Sequence, residues 1–357
     1  MSLALIVGSA PSPVLGQRAV AQQAVAQQAA AETLVGKGSV AELPVAELPV
    51  AEPAVVGAVI EEPPASCLGD RIFLVSTRHL TSDVRCADLA EVSLRIWQLR
   101  AGCTVPIDLP TYKSLLQPGR PVVIYVHGNR MPVEDAVARG NQVRCNIKRR
   151  MRTSGVDWVY FSWPSEKTSI GISDFREKAD RTDVQGLYLA ALLRTHVRAA
   201  TPLTMVGYSF GARVITGSLH ALAGGTLAGR SLPDDPIVGA DIRVGLIAAA
   251  IESMWLTRRG YHGQATQNMN RLALLYNRRD AVLKRYWLIE QVRGRMALGY
   301  TGPRSFAPRA DGSPLPVRAK DCSPVVGLNH DELDYYFKPC QAGCEMSRLI
   351  NDVRYLD

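Results

Sequence analysis

Ser209 stands at the centre of Gly207-Tyr208-Ser209-Phe210-Gly211, the G-x-S-x-G spacing of a nucleophile elbow. A buried-strand pattern, Leu203 to Val206, leads into it. A helical pattern, Ala212 to Ala223, leads out and ends at Gly224-Gly225. The spacing has a steric reason. Strand and helix nearly touch at such a turn, so the residues two before and two after the serine must lack bulk, and Gly207 and Gly211 do. A serine held this way presents Oγ at the carboxyl edge of a sheet. The N–H of Phe210, at a helix start, then faces developing negative charge. The same pentapeptide also suits an ordinary turn capped by serine, so its meaning rests on partners.

Where this turn is catalytic, an acid and then a histidine follow the serine in the chain. Three of the six histidines do: His220, His262 and His330. His220 lies 11 residues along the same helix, roughly 16 Å away at about 1.5 Å per residue, and is out of reach. His262 comes before the best acid. His330, in Gly327-Leu328-Asn329-His330-Asp331, remains as the base. The acid should stand just past a strand. Asp280 follows the apolar run Leu272 to Tyr276, where it also suits a helix N-cap, and Glu252 after Ile251 is the alternative acid. Half of an oxyanion hole is expected from the turn His127-Gly128-Asn129, through the N–H of Asn129 or Arg130, with Phe210 as the other half. His127 precedes the serine and is expected to order this loop. The loops 165–180 and 252–270, the second with Met254, Trp255 and Tyr261, are candidate walls of an acyl pocket.

The elements that must hold these residues alternate in type. Arg71 to Thr77, Pro121 to Val126, Trp158 to Trp163, Val238 to Ile251 and Leu272 to Tyr276 read as strands, several apolar throughout, as in a parallel sheet. Glu91 to Arg100 alternates like a strand with one wet face. Ala136 to Arg152, Asp180 to Ala199 and Ala281 to about Arg295 read as helices. A short helical segment is expected after Gly343. Strands spaced by helices predict an α/β fold with a mostly parallel, doubly wound sheet and its site at the strands' carboxyl ends.

The stretches VVIYVHGN (122–129), YFSWPS (160–165) and VGYSFGARV (206–214), with the strand–Asp at 272–280 and His330, resemble the α/β-hydrolase superfamily. Within it they resemble a bacterial family of uncharacterised serine hydrolases. The resemblance covers about Arg71 to Phe337 and leaves Thr301 to Asp321 without a counterpart. It implies a serine hydrolase that needs no cofactor and acts on a small-molecule or lipid-like acyl substrate. Two alternatives use the same residues: a catalytically inactive binding or scaffold protein, and an acyltransferase. Arg278-Arg279 could draw the Asp280 carboxylate away from His330, which would favour the inactive form.

Residues 1–66 read differently. Short imperfect repeats of Ala, Val, Gln, Glu and Pro, without aromatics, predict a disordered leader, helical around Ala19 to Glu32 and extended after Leu43. The first residues, LALIVGSAPSPVLGQRA, resemble the end of a secretion signal that lacks its basic region. An exported or cell-envelope protein is therefore favoured over a cytoplasmic one, and 67–357 is expected to form the hydrolase domain.

A 357-residue chain that is 47% hydrophobic can bury a large core. Its net charge of +8 and pI near 9.2 come from scattered basic clusters without interleaved aromatics, so no nucleic-acid partner is expected. Seven cysteines permit disulfides without demanding them, and none has zinc-site spacing, so no metal is expected. No apolar run is long enough to span a membrane. Oligomeric state is left open.

Overall fold

The computed structural model describes residues 69–101, 103–152, 154–291, 294–337 and 339–351. The leader therefore lies outside the described residues. Nine strands form one sheet among these residues, in the order β3-β2-β1-β5-β4-β6-β7-β8-β9. They are β1 (Arg71–Ser76), β2 (Arg95–Arg100), β3 (Cys103–Ile107), β4 (Val122–Val126), β5 (Asp157–Ser162), β6 (Leu203–Tyr208), β7 (Ile242–Ile247), β8 (Met269–Tyr276) and β9 (Val317–Asp321). The hairpins β1–β2 and β2–β3 are antiparallel, and every other pairing is parallel. Every residue of β4, β5, β6 and β7 is buried, as strands covered on both faces require.

The two covers can be traced through the register. Tyr160, Tyr125, Val206 and Gly245 sit side by side across β5, β4, β6 and β7 and so share one face. That face meets α1 (Val133–Lys148), whose Gly140 lies against the Tyr160 ring, and α4 (Ala342–Asn351), whose Met346 lies over Gly245. The next residues along β4, β6 and β7 are Val126, Gly207 and Leu246, on the other face. There Gly207 lies against Ile215 of α3 (Phe210–Leu222), which packs on α2 (Ile172–Arg198).

Several elements differ from the sequence expectation for physical reasons. Helix α2 begins at Ile172, two turns before Asp180, because Asp174 and Lys178 are fully buried as an ion pair at 3.5 Å. Polar residues in a buried turn hide its amphipathic pattern. Strand β2 starts at Arg95, and β7 spans only Ile242–Ile247. The helix expected over 281–295 is two short turns, Leu283–Arg285 and Trp287–Glu290, stopped by Gln291 at φ 55°. Edge strand β3 contains Pro106, and edge strand β9 reads VRAKD, so both lack the apolar signature of a strand. Cys322 and Cys340 form a disulfide, and the loop it closes contains His330. Among the described residues no helix is long and apolar enough to cross a membrane.

Candidate active site

Ser209 lies between β6 and α3 at φ 52° and ψ −118°, a region that costs a non-glycine residue about 1–3 kcal/mol. Three backbone bonds hold it there. Its N–H donates to Ile247 O (3.0 Å), and its carbonyl accepts from the N–H groups of Ala212 (3.1 Å) and Ala250 (3.2 Å). The flanking glycines are needed for space. A Cβ on Gly211 would fall inside contact distance of Val126 O and 2.7 Å from His127 O, both backbone atoms of the neighbouring strand and its turn. A Cβ on Gly207 would lie 3.0 Å from Ala212 N.

His330 reaches Ser209 from the far end of the chain. The Ser209 hydroxyl is 2.9 Å from its Nε2, and Asp280 Oδ2 is 2.6 Å from its Nδ1. With a carboxylate at that distance the proton sits on Nδ1, so Nε2 is left to accept from serine. The loop is pinned around the ring. Tyr208 donates its hydroxyl to His330 O (3.0 Å), Ala281 N–H donates to Leu328 O (3.1 Å), and the Asn277 side-chain amide donates to Gly327 O (2.7 Å).

Asp280 is fully buried and does two things at once. Its Oδ1 accepts from the N–H groups of Val282 and Leu283, each at 2.9 Å, which is a cap. Its Oδ2 faces the imidazole. Arg278 does not compete for it. That guanidinium is 3.8 Å from Asp321 and lies over the Tyr276 ring. Glu252, the alternative acid, is elsewhere. After β7 the backbone turns back through Ala248 at φ 47° and carries Glu252 to Arg295, 3.3 Å away, on a separate cavity of about 580 Å³.

Asn129 and Phe210 both line the hollow over Ser209. Among the described residues neither N–H has an acceptor, whereas the N–H of Arg130 is taken by Ser165 O at 2.7 Å. Gly128 lets the two loops meet: a Cβ there would be 2.8 Å from the Tyr208 ring and 3.3 Å from Ser209 Cβ. His127 is buried and stacked on Trp163, with ring centroids 5.6 Å apart. Its Nε2 accepts from Trp163 N–H (3.2 Å), so its Nδ1–H donates to Gly128 O (2.8 Å). Burial, with Arg78 nearby, lowers its pKa to about 3, and it stays neutral while bracing the turn.

The hollow has a volume of about 230 Å³. Its walls include Phe175, Val282, Leu283, Tyr286 and Ile289, Arg130 and Tyr208 also line it, and Ser209 and His330 face it. Of the walls expected in 165–180 and 252–270, the first loop supplies only Phe175. Met254, Trp255 and Tyr261 of the second border the Glu252 cavity instead. A usable signal for the walls of this hollow does exist, since 282, 286 and 289 are spaced as one helical face just after Asp280.

Residues 112–302, more than half of the chain, match the family model described as "Alpha/beta hydrolase of unknown function (DUF900)". The chain belongs to that family. The match takes in Ser209 and Asp280 of this alpha/beta hydrolase and ends before His330. A search of solved structures finds the crystal structure of a C6-C4 SN3 inhibited esterase B from Lactobacillus rhamnosis. It is 12% identical, with 95% of this chain and 96% of that one covered and a TM-score of 0.37. No curated protein matches the alpha/beta hydrolase.

Proposed function

We propose that the protein is a serine hydrolase that cleaves an ester-type acyl bond through a Ser209–His330–Asp280 triad. The observation that carries the reading is the unbroken hydrogen-bonded chain, 2.9 Å from Ser209 to His330 and 2.6 Å from His330 to Asp280. Ser209 Oγ attacks the acyl carbon while His330 Nε2 takes its proton, and the carbonyl oxygen becomes an oxyanion. The N–H groups of Asn129 and Phe210 bind that oxyanion. Losing one such donor costs on the order of 100-fold or more in rate. His330 then returns the proton to the departing alkoxide, which leaves as an alcohol, and the acyl group stays on Ser209. Water attacks the acyl-enzyme with His330 again as base, releasing the carboxylic acid. Asp280 holds the imidazole tautomer and offsets its positive charge. The walls of the hollow suit a compact apolar acyl group.

Turnover of p-nitrophenyl acetate and butyrate tests this. A burst of nitrophenol equal to the enzyme concentration, lost in Ser209→Ala and His330→Gln proteins that keep the wild-type melting curve, is the expected result. Turnover retained in Ser209→Ala would remove the serine from its role.

A further inference from the structure

Beside the mouth of the hollow lies a surface that the hydrolytic reading does not use. Val282 is a wall of the hollow yet is 43% exposed, and Leu328, whose carbonyl bonds Ala281 N–H, is 64% exposed. The two therefore stand together at the rim. Trp287, 38% exposed, lies across a second depression of about 460 Å³. Arg278, Arg279, Lys284 and Arg285 line that depression, and Arg304 lines a neighbouring one that shares Arg278 and Tyr300.

The charge on this surface is poorly balanced. Among the described residues its single ion pair is the 3.8 Å contact of Arg278 with Asp321. Arg279, Lys284 and Arg304 have no carboxylate partner there, and Arg285 donates only to Ala281 O (3.1 Å). Exposed apolar side chains grouped in one patch mark an interaction site, and clustered cations draw an anionic partner to it. An amphipathic indole beside basic side chains suits the boundary between headgroups and acyl chains.

We infer that this face docks on an anionic lipid bilayer, with Arg279, Lys284, Arg285 and Arg304 on the headgroups and Val282, Leu328 and Trp287 among the upper acyl carbons. A soluble anion accounts for the cations but not for three apolar residues exposed around them. A neutral partner accounts for the apolar residues but not for the cations. An anionic bilayer accounts for both. In this pose the hollow over Ser209 opens toward the lipid, a consequence that rests on the proposed serine chemistry; the docking itself does not.

The test is sedimentation of the full chain with vesicles, either equal parts phosphatidylglycerol and phosphatidylcholine or phosphatidylcholine alone, at 50 and 300 mM salt. Binding is expected to the anionic vesicles, to weaken with salt, and to be unchanged in Ser209→Ala. Each basic residue near such a surface is worth about fivefold in affinity, so Arg279→Glu/Lys284→Glu/Arg304→Glu should lose on the order of 100-fold or more. Leu328→Ser should weaken binding at both salt concentrations alike. The charge-reversed variant alters only exposed side chains and should keep p-nitrophenyl ester turnover. Equal binding to the two vesicle types, no binding, or full binding by the charge-reversed variant would each overturn the inference. So would saturable binding of inorganic phosphate by calorimetry without vesicle binding, which would mark a small-anion site.

Discussion

Asp280→Asn and Asp280→Ala separate the two roles that one carboxylate combines. Oδ1 caps the turn through Val282 and Leu283, and Oδ2 orients His330. Asparagine keeps an acceptor for the cap, so its unfolding free energy should stay within about 1 kcal/mol of wild type. Alanine loses the cap and leaves the buried Leu283 N–H without an acceptor, a cost of about 1–3 kcal/mol. Catalysis should order the variants differently. In Asp280→Asn the side-chain amide would point an N–H at Nδ1 of His330 and force the imidazole proton onto Nε2. Nε2 then faces the serine hydroxyl as a donor and can no longer take its proton. A triad with the wrong tautomer loses about 10⁴ in kcat, or about 5.5 kcal/mol of transition-state stabilisation. The assay pairs urea unfolding with the second-order rate of fluorophosphonate labelling, which needs no knowledge of the natural substrate. A labelling rate within tenfold of wild type in Asp280→Asn would refute the orienting role. Equal destabilisation of the two variants would refute the cap.

The elbow and the His330 loop each yield a further expectation. Gly211→Ala should destabilise the fold by about 3 kcal/mol or more, since the new methyl meets backbone oxygens that cannot rotate away; urea unfolding that matches wild type would contradict the steric account of the elbow. Glu332 is fully buried, and burial raises its pKa from 4.5 to about 7 against the opposing pull of the Tyr125 hydroxyl, which donates to it at 2.7 Å, and Arg139. The native form thus holds a proton that the unfolded chain releases, so stability should fall as pH rises from 4.5 to 7 and level off above, by about 3 kcal/mol in all. Glu332→Gln should flatten that slope in a series of thermal melts, and an unchanged slope would place the titration elsewhere.

The parts of the molecule legible in its sequence are those where one local rule decides the structure. Val122–Val126 and Asp157–Ser162 are buried on both faces, so their apolar runs can be read directly. The elbow is legible because its glycines answer to a backbone clearance that any such turn has. Chain order then leaves His330 as the candidate base and both Asp280 and Glu252 as candidate acids, of which Asp280 is the one that faces His330. Cap and acid look like competing roles for Asp280 in the sequence, but a carboxylate has two oxygens, and here Oδ1 takes the cap while Oδ2 faces His330. What stays hidden depends on distant partners. The first turns of α2 conceal a buried Lys178–Asp174 pair, and Glu332 is buried against Tyr125, 207 residues away. The hollow over Ser209 depends on how the 281–291 segment breaks into two turns, and the breaks answer to Asp280 and Gln291 more than to apolar periodicity.

Intact-protein mass spectrometry after fluorophosphonate treatment, followed by peptide mapping, tests the central claim most directly. One adduct per chain is predicted, carried by Ser209, abolished in Ser209→Ala and formed far more slowly in His330→Gln. An adduct of equal yield in Ser209→Ala, or no adduct on folded wild-type protein, would contradict it.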